Sequence, residues 1–465
     1  MLLTQQQEKL NMTGNKMSPT QLTLLTALNM LGSGIIMLPA KLAEVGMISS
    51  LSWIFAATGA VAISYVFARC GMLSKRPGLG GIAEYAFGHT GAFMVNCIYG
   101  FSLITANIAI TYSALGYLLG LVGGGIHTSD NSSIWIWVGT VALLWVATLL
   151  NFRGARFTGV ISAALIWGVL LPVLVLLLMG GFWFEASTFA VNWNPTGLSA
   201  WDATTASIAL TFWCFLGLES ACANGDAVEN PSRNVPRSVL IATVSVAVLY
   251  VVTTSLIAGI VPSEQMVGST APFGVVFAAM IGEGAGAVVA STLVLAMIGS
   301  LVSWQFTLSR VFKTSAEVGD FPAIFARTNA KGVPIVGFII LTSIQSILAL
   351  LVASPNLLKQ FDFLVDFSVI TNIIPYVLCM AGSFYLSRKM KLSRGRLIQT
   401  DICATYGIAF LFLLFLSMDS LTMKIGAISV FLGWVLYGVR RAQTPDENIP
   451  LISTAHADAN LKSNE

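Results

Sequence analysis

The sequence predicts an all-α, multi-pass membrane protein of twelve transmembrane helices, with the first and the sixth broken. Three observations carry that prediction: the apolar composition, the number of apolar stretches, and the placement of the basic residues. Of 465 residues, 56% are hydrophobic and 10% charged, and the mean hydropathy is +0.81; a soluble chain carries about 25% charged residues. Twelve apolar stretches, each near the roughly 20 residues that span a bilayer, centre on Leu31, Ala60, Asn107, Leu143, Leu170, Trp213, Leu249, Ile298, Leu341, Ile373, Phe410 and Ser429. An even number puts both termini on one side, and the Lys and Arg bias assigns that side to the cytoplasm. Of the 24 Lys and Arg residues, only Lys41, Lys359 and Lys424 fall on the far side. One miscounted span would invert everything after it, so the bias supports the count as well as the orientation.

Residues 1–20 are polar and lack the apolar core of a signal peptide, so an uncleaved cytoplasmic tail is expected. The twelve-helix apolar region runs over 21–441, and residues 442–465 form a second polar cytoplasmic tail, expected to be disordered. A net charge of +3 and the lack of a long basic arm argue against nucleic acid as a partner. The six cysteines form no CxxC pair and no metal-ligand spacing, and read as core packing. His89, His127 and His456 stand apart from one another, and neither HExxH nor GxSxG occurs, so no enzyme, metal or cofactor is expected. No phosphate loop suggests ATP as the driving force, and the glycine-rich "PGLGGIAEYAFG" follows a membrane helix rather than a strand. No repeated filter element points to a channel.

The first stretch, "NMLGSGIIMLP", carries Gly32, Ser33 and Gly34 in its middle. Two readings stand side by side. The glycines allow a neighbouring helix to pack closely, or they mark an unwound segment whose backbone groups face protein or an aqueous cavity. The sixth stretch, "SIALTFWCFLGLESACANGDAVENP", places Glu219 inside a span two residues after Gly217. An ionised carboxylate at the bilayer centre costs about 2.5–3.5 kcal/mol on insertion scales, so it stays out of lipid and marks a pathway unless it is a protonated structural acid. Interruptions at corresponding places in two halves point to the binding site of an inverted-repeat transporter. Trp213 and Glu219, six residues apart, would lie about 120° apart on an unbroken helix; unwinding around Phe215 to Gly217 lets both face one cavity.

A ligand profile follows. Glu219 calls for a cation, which Trp213 and Trp304 would flank by cation–π contact. The N–H groups exposed by the first break suit a carboxylate. A cationic amino acid satisfies both ends, whereas a diamine satisfies the acidic end twice or leaves the anion end to water.

On "NMLGSGIIMLPAKLAEVG", "GGIAEYAFG", "FWCFLGLESACAN", "VENPSRNVP", "STAPFG", "WQF" and "TNIIPY", the chain resembles the bacterial basic amino acid/polyamine antiporters of the amino acid, polyamine and organocation superfamily. The resemblance reaches to about residue 440. It implies a LeuT-like fold of two inverted five-helix repeats, about 21–182 and 203–386, with helices 11 and 12 at about 400–440. It also implies alternating-access exchange of a diamine for a cationic amino acid in the bacterial inner membrane. Putrescine for ornithine is the first expectation, and proton-coupled putrescine uptake a related mode in which Glu219 would change protonation. Arginine–agmatine exchange, lysine–cadaverine exchange, and a non-exchanging sensor or uniporter are the alternatives. Among site residues the resemblance implies substrate contact for Ser33 in its Gly32–Gly34 setting, closure by Trp213, recognition by Glu219, and pocket positions at Tyr99, Asn107 and Trp304. It implies a part in diamine handling for Cys70, Glu84, Trp434 and Tyr437; for the last two, an interfacial aromatic belt competes. A cytosolic amino acid decarboxylase is the implied functional partner, and a homodimer an assembly the family allows. The chain departs from the pattern at "AMIGSLVSWQF", which lacks a cysteine pair, and at Asp320, where an aromatic is expected.

Overall fold

The structure, a computed structural model, describes residues 18–74, 78–122, 132–219, 231–330, 332–353 and 356–443. Among them the chain is helical and contains no strand. In order, the helices are α1 (Pro19–Met30), α2 (Ser33–Val45), α3 (Ser50–Leu73), α4 (Leu79–Leu121), α5 (Ser132–Asn151), α6 (Ala155–Leu165), α7 (Trp167–Met179), α8 (Ala186–Val191), α9 (Ala200–Trp213), α10 (Pro231–Ile260), α11 (Ser263–Met266), α12 (Pro272–Ile281), α13 (Glu283–Glu317), α14 (Ile335–Leu351), α15 (Leu357–Lys389), α16 (Arg394–Leu416) and α17 (Ser420–Gln443). Nine helical segments among the described residues are long and apolar enough to cross a membrane. The chain is therefore a multi-pass membrane protein.

The first and sixth apolar stretches are not among those nine, and the reason is visible in the chain. The first divides at Leu31 and Gly32 into helices of 12 and 13 residues. The sixth stops as the 14-residue α9 and continues as turns over Cys214–Glu219. Gly217 takes φ +112° there, a left-handed value that glycine adopts without the steric cost of a side chain. The residues after Glu219, up to 230, lie outside the described part. The ninth stretch is present as α14, 17 residues long.

Where a helix breaks inside a bilayer, its freed carbonyls need donors. Tyr250 on α10 supplies one for both breaks: its hydroxyl stands 2.6 Å from the Met30 carbonyl oxygen and 3.0 Å from that of Cys214. Tyr117 on α4 donates to the Ile36 carbonyl at 3.1 Å and accepts from the Phe273 N–H at 3.1 Å, which ties α2 to α12. Both tyrosines are fully buried. The close approach of the two broken segments also depends on glycine. A Cβ on Gly34 would stand 2.7 Å from Cys214 Sγ, and one on Gly217 would stand 2.8 Å from the Asn29 carbonyl oxygen.

At the centre of the bundle is α4, whose most apolar window is 83% buried against 22% for α17 at the periphery. Helices α15 and α13 pack along it, while α10 packs against both α3 and α1. Helix α4 is kinked at Gly88 (φ 63°, ψ −162°), so its first turns, which carry Glu84, run separately from the long span that carries Tyr99.

Candidate functional site

Glu219 sits where the turn after α9 meets the middle of α4 and of α15, and it is only 6% exposed. Tyr99 donates its hydroxyl to Oε1 at 2.7 Å, and Tyr376 donates to Oε2 at 2.7 Å. The Gly217 N–H donates to Oε2 at 2.9 Å, which is what the positive φ of that residue makes possible. An ionised carboxylate is an acceptor with about four lone-pair sites, so three donors hold its orientation and leave room for one more. None of the three is a charged side chain.

The carboxylate opens on a small cavity that residues of both breaks line. The first break contributes Asn29, Met30, Gly32 and Gly34, and the second Trp213, Cys214 and Glu219. Opposite them stand Tyr99 and Ser102 of α4, Trp304 of α13, and Ser368 and Asn372 of α15. Trp213 is buried and meets Phe361 of α15 edge-on, with ring centres 5.5 Å apart. Ser102 and Ser368 hydroxyls are 3.0 Å apart, and Asn372 donates to Ser102 and, at 3.0 Å, to the Ser368 carbonyl. Helix α2 begins at this cavity behind Gly32, which has no side chain to cap the first N–H groups, and helix N-terminal donors suit an anionic group.

The structure thus brings six residues of the sequence-derived set to one cavity: Gly32, Gly34, Tyr99, Trp213, Glu219 and Trp304. Ser33 is the first residue of α2; its side chain lies outside the described part. The two readings of Gly32 and Gly34 hold together, since both line the cavity and Gly34 also lets Cys214 approach. Asn107 does not line it. It is buried on another face of α4 and donates to Gln305 at 3.3 Å, which in turn pairs with Gln345. Helical geometry explains the difference: relative to Tyr99, the lining residues Ala106 and Ile110 fall within about 20° and Asn107 about 80° round.

Cys70, Glu84, Trp434 and Tyr437 also lie away from this cavity. Cys70 is buried near the end of α3. Glu84 stands before the α4 kink, 4.0 Å from His89 Nε2, and His89 Nδ1 is 3.7 Å from Asp320. Tyr437 exchanges a 2.7 Å hydrogen bond with Thr90 and packs on Phe93. Trp434 is half exposed against Tyr437. Tyr376, Ser102, Ser368 and Asn372 carry no role in the sequence reading. Their signal is the spacing of Ser368, Asn372 and Tyr376, four residues apart on an apolar helix, which puts three polar groups on one stripe.

With that geometry in view, comparison with known proteins decides the family. The Amino acid permease family matches residues 17–436. The chain belongs to it. The putrescine transporter PotE of Haemophilus influenzae is 47% identical over 425 residues, covering 91% of this chain and 97% of that protein. PotE of Escherichia coli is 47% identical over 426 residues, 91% and 96% of the two chains. The Escherichia coli cadaverine/lysine antiporter is 29% identical over 402 residues, 84% and 87%. This permease is accordingly a transport protein and not an enzyme.

Proposed function

We propose that this permease exchanges a diamine for a cationic amino acid, putrescine for ornithine in the first place, by alternating access in a bacterial inner membrane. The observation that carries the reading is Glu219: a buried carboxylate oriented by Tyr99, Tyr376 and the Gly217 N–H, facing a cavity between two broken helices. The names of the relatives support the substrate class, since the two putrescine transporters are 47% identical and the cadaverine/lysine antiporter 29%.

In this reading the nine long segments, the two broken stretches and α14 make twelve spans with both termini cytoplasmic, and the broken helices head two inverted repeats of the LeuT type. An ammonium of the substrate takes the open position on Glu219, with Trp213 and Trp304 beside it. The α-carboxylate of ornithine takes the N–H groups at the start of α2, which putrescine leaves to water. Closure of Trp213 over the ligand precedes opening on the other face. A cytosolic decarboxylase that turns the amino acid into the diamine would supply the return substrate.

Proteoliposomes loaded with putrescine are expected to take up labelled ornithine, and empty ones are not. Equal uptake by empty vesicles would replace exchange with uniport, and binding without uptake would make the protein a sensor.

A further inference from the structure

The bundle carries a second concavity, larger than the one at Glu219 and unlike it in chemistry. Its volume is about 630 Å³, within the range of small-molecule sites. The floor is buried, made by Phe93 and Ile104 of α4 with Phe321 and Phe325 of the segment after α13. Helices α14 and α17 form the sides, where the lining residues Ile347, Leu351, Leu432 and Leu436 are exposed. Helix α17 is long and apolar enough to cross the membrane, so the furrow opens on lipid. It shares no lining residue with the Glu219 cavity.

The hydroxyls along its length are satisfied within their own helices: Thr105 donates to the Phe101 and Ser102 carbonyls, and Ser429 to the Ile425 carbonyl. An apolar occupant therefore leaves no hydroxyl there unpaired. Ser429 and Gln443, both lining residues of α17, stand 14 positions apart, about 21 Å along the helix, and the hydrocarbon of one leaflet is about 15 Å thick. The furrow thus runs the depth of a leaflet and past its edge.

At that edge Arg440 and Arg441 close the last turn of α17. Arg440 lines the furrow, and its Nε–H donates to the Gly319 carbonyl at 2.9 Å, which holds the guanidinium beside the segment that follows α13. Asp320 lines the same end, but it is buried and stands 3.7 Å from His89 Nδ1. Two guanidinium groups exceed one carboxylate plus the half charge of a helix C-terminus, so the mouth is positive. The planar fork of arginine suits a phosphate.

We propose that the furrow seats an acyl chain of one anionic phospholipid, from the leaflet at the C-terminal end of α17, with its phosphate on Arg440 and Arg441. The floor is set before the lipid arrives: the Phe312 ring packs on those of Phe321 and Phe325 with centres 4.9 and 5.1 Å apart, and Phe93 packs on Phe321 at 5.5 Å. This site goes beyond the exchange reading and does not depend on it.

The test uses the full-length protein in detergent, with phosphatidylglycerol or phosphatidylcholine of the same acyl chains added and bound lipid counted by native mass spectrometry. Wild type is expected to keep one phosphatidylglycerol and to hold it about ten-fold more tightly than phosphatidylcholine. Replacing both arginines with glutamine is expected to abolish that preference, and replacing both with lysine to keep it, which separates lost charge from lost fold. Ile347→Trp, which fills the furrow from α14, is expected to weaken both lipids about ten-fold. Val435→Trp, exposed on α17 but outside the furrow, is expected to bind as wild type does. Equal binding of the two lipids by wild type would overturn the proposal, as would phosphatidylglycerol binding that Ile347→Trp leaves unchanged. A dimer that holds no lipid would assign the furrow to a second copy of the chain and overturn it as well.

Discussion

Two carboxylates in this bundle are treated in opposite ways. Asp362 is given a cation by the chain itself, with Lys41 at 2.7 Å. Glu219 is more deeply buried, yet its three hydrogen-bond donors are two phenols and one backbone N–H, with no charged partner among the described residues. Burying an acid without a counter-ion is costly, and hydrogen bonds to neutral donors offset only part of that cost. The difference teaches where the fold ends and the proposed ligand begins: one carboxylate has its cation within the chain, and the other, in the proposed function, shares its last acceptor position with a cation from outside.

The comparison breaks most severely at Glu219. In Glu219→Gln the shape remains, but the cation meets a neutral amide. Removing one partner of a buried charge pair costs about 3 kcal/mol or more, so binding of putrescine is expected to weaken by roughly 150-fold, as read by equilibrium binding in detergent. Undiminished binding would remove the central residue of the proposed site.

A smaller effect is expected from Tyr376→Phe, which deletes one donor and keeps the ring. A hydrogen bond to a charged group contributes about 1.5–3 kcal/mol, so a loss of about ten-fold in putrescine affinity is expected, read by the same binding measurement. Tyr376 also shows why part of this site was hidden in the sequence. Its bond to Glu219 joins residues 157 positions apart, and that of Tyr99 joins residues 120 apart; no local pattern reports such a pairing. The breaks, by contrast, were legible, because a bilayer tolerates unwound backbone only under narrow conditions and the residues that permit it, Gly32, Gly34 and Gly217, are visible as letters. The spans were legible for the same reason, since their length is imposed by the bilayer. Asn107 marks the limit of reading along one helix. Its depth in the membrane was clear, but its face was not, and about 80° of rotation carries it from the cavity to Gln305.

The smallest effect sharpens the comparison from the far end of the bundle. Tyr437 belongs to the diamine-handling set that the resemblance implies, but its hydroxyl is engaged with Thr90 and its ring with Phe93, away from Glu219. Loss of one neutral hydrogen bond is worth about 1 kcal/mol of stability, so Tyr437→Phe is expected to lower the melting temperature by only about one degree. Equilibrium affinity for putrescine should then stay within about two-fold of wild type, because a site closed by Tyr99, Tyr376 and Gly217 does not feel a contact outside its cavity. A ten-fold loss of affinity in Tyr437→Phe would require the two ends of the bundle to share one binding surface, and would contradict the assignment of the ammonium position to Glu219 alone.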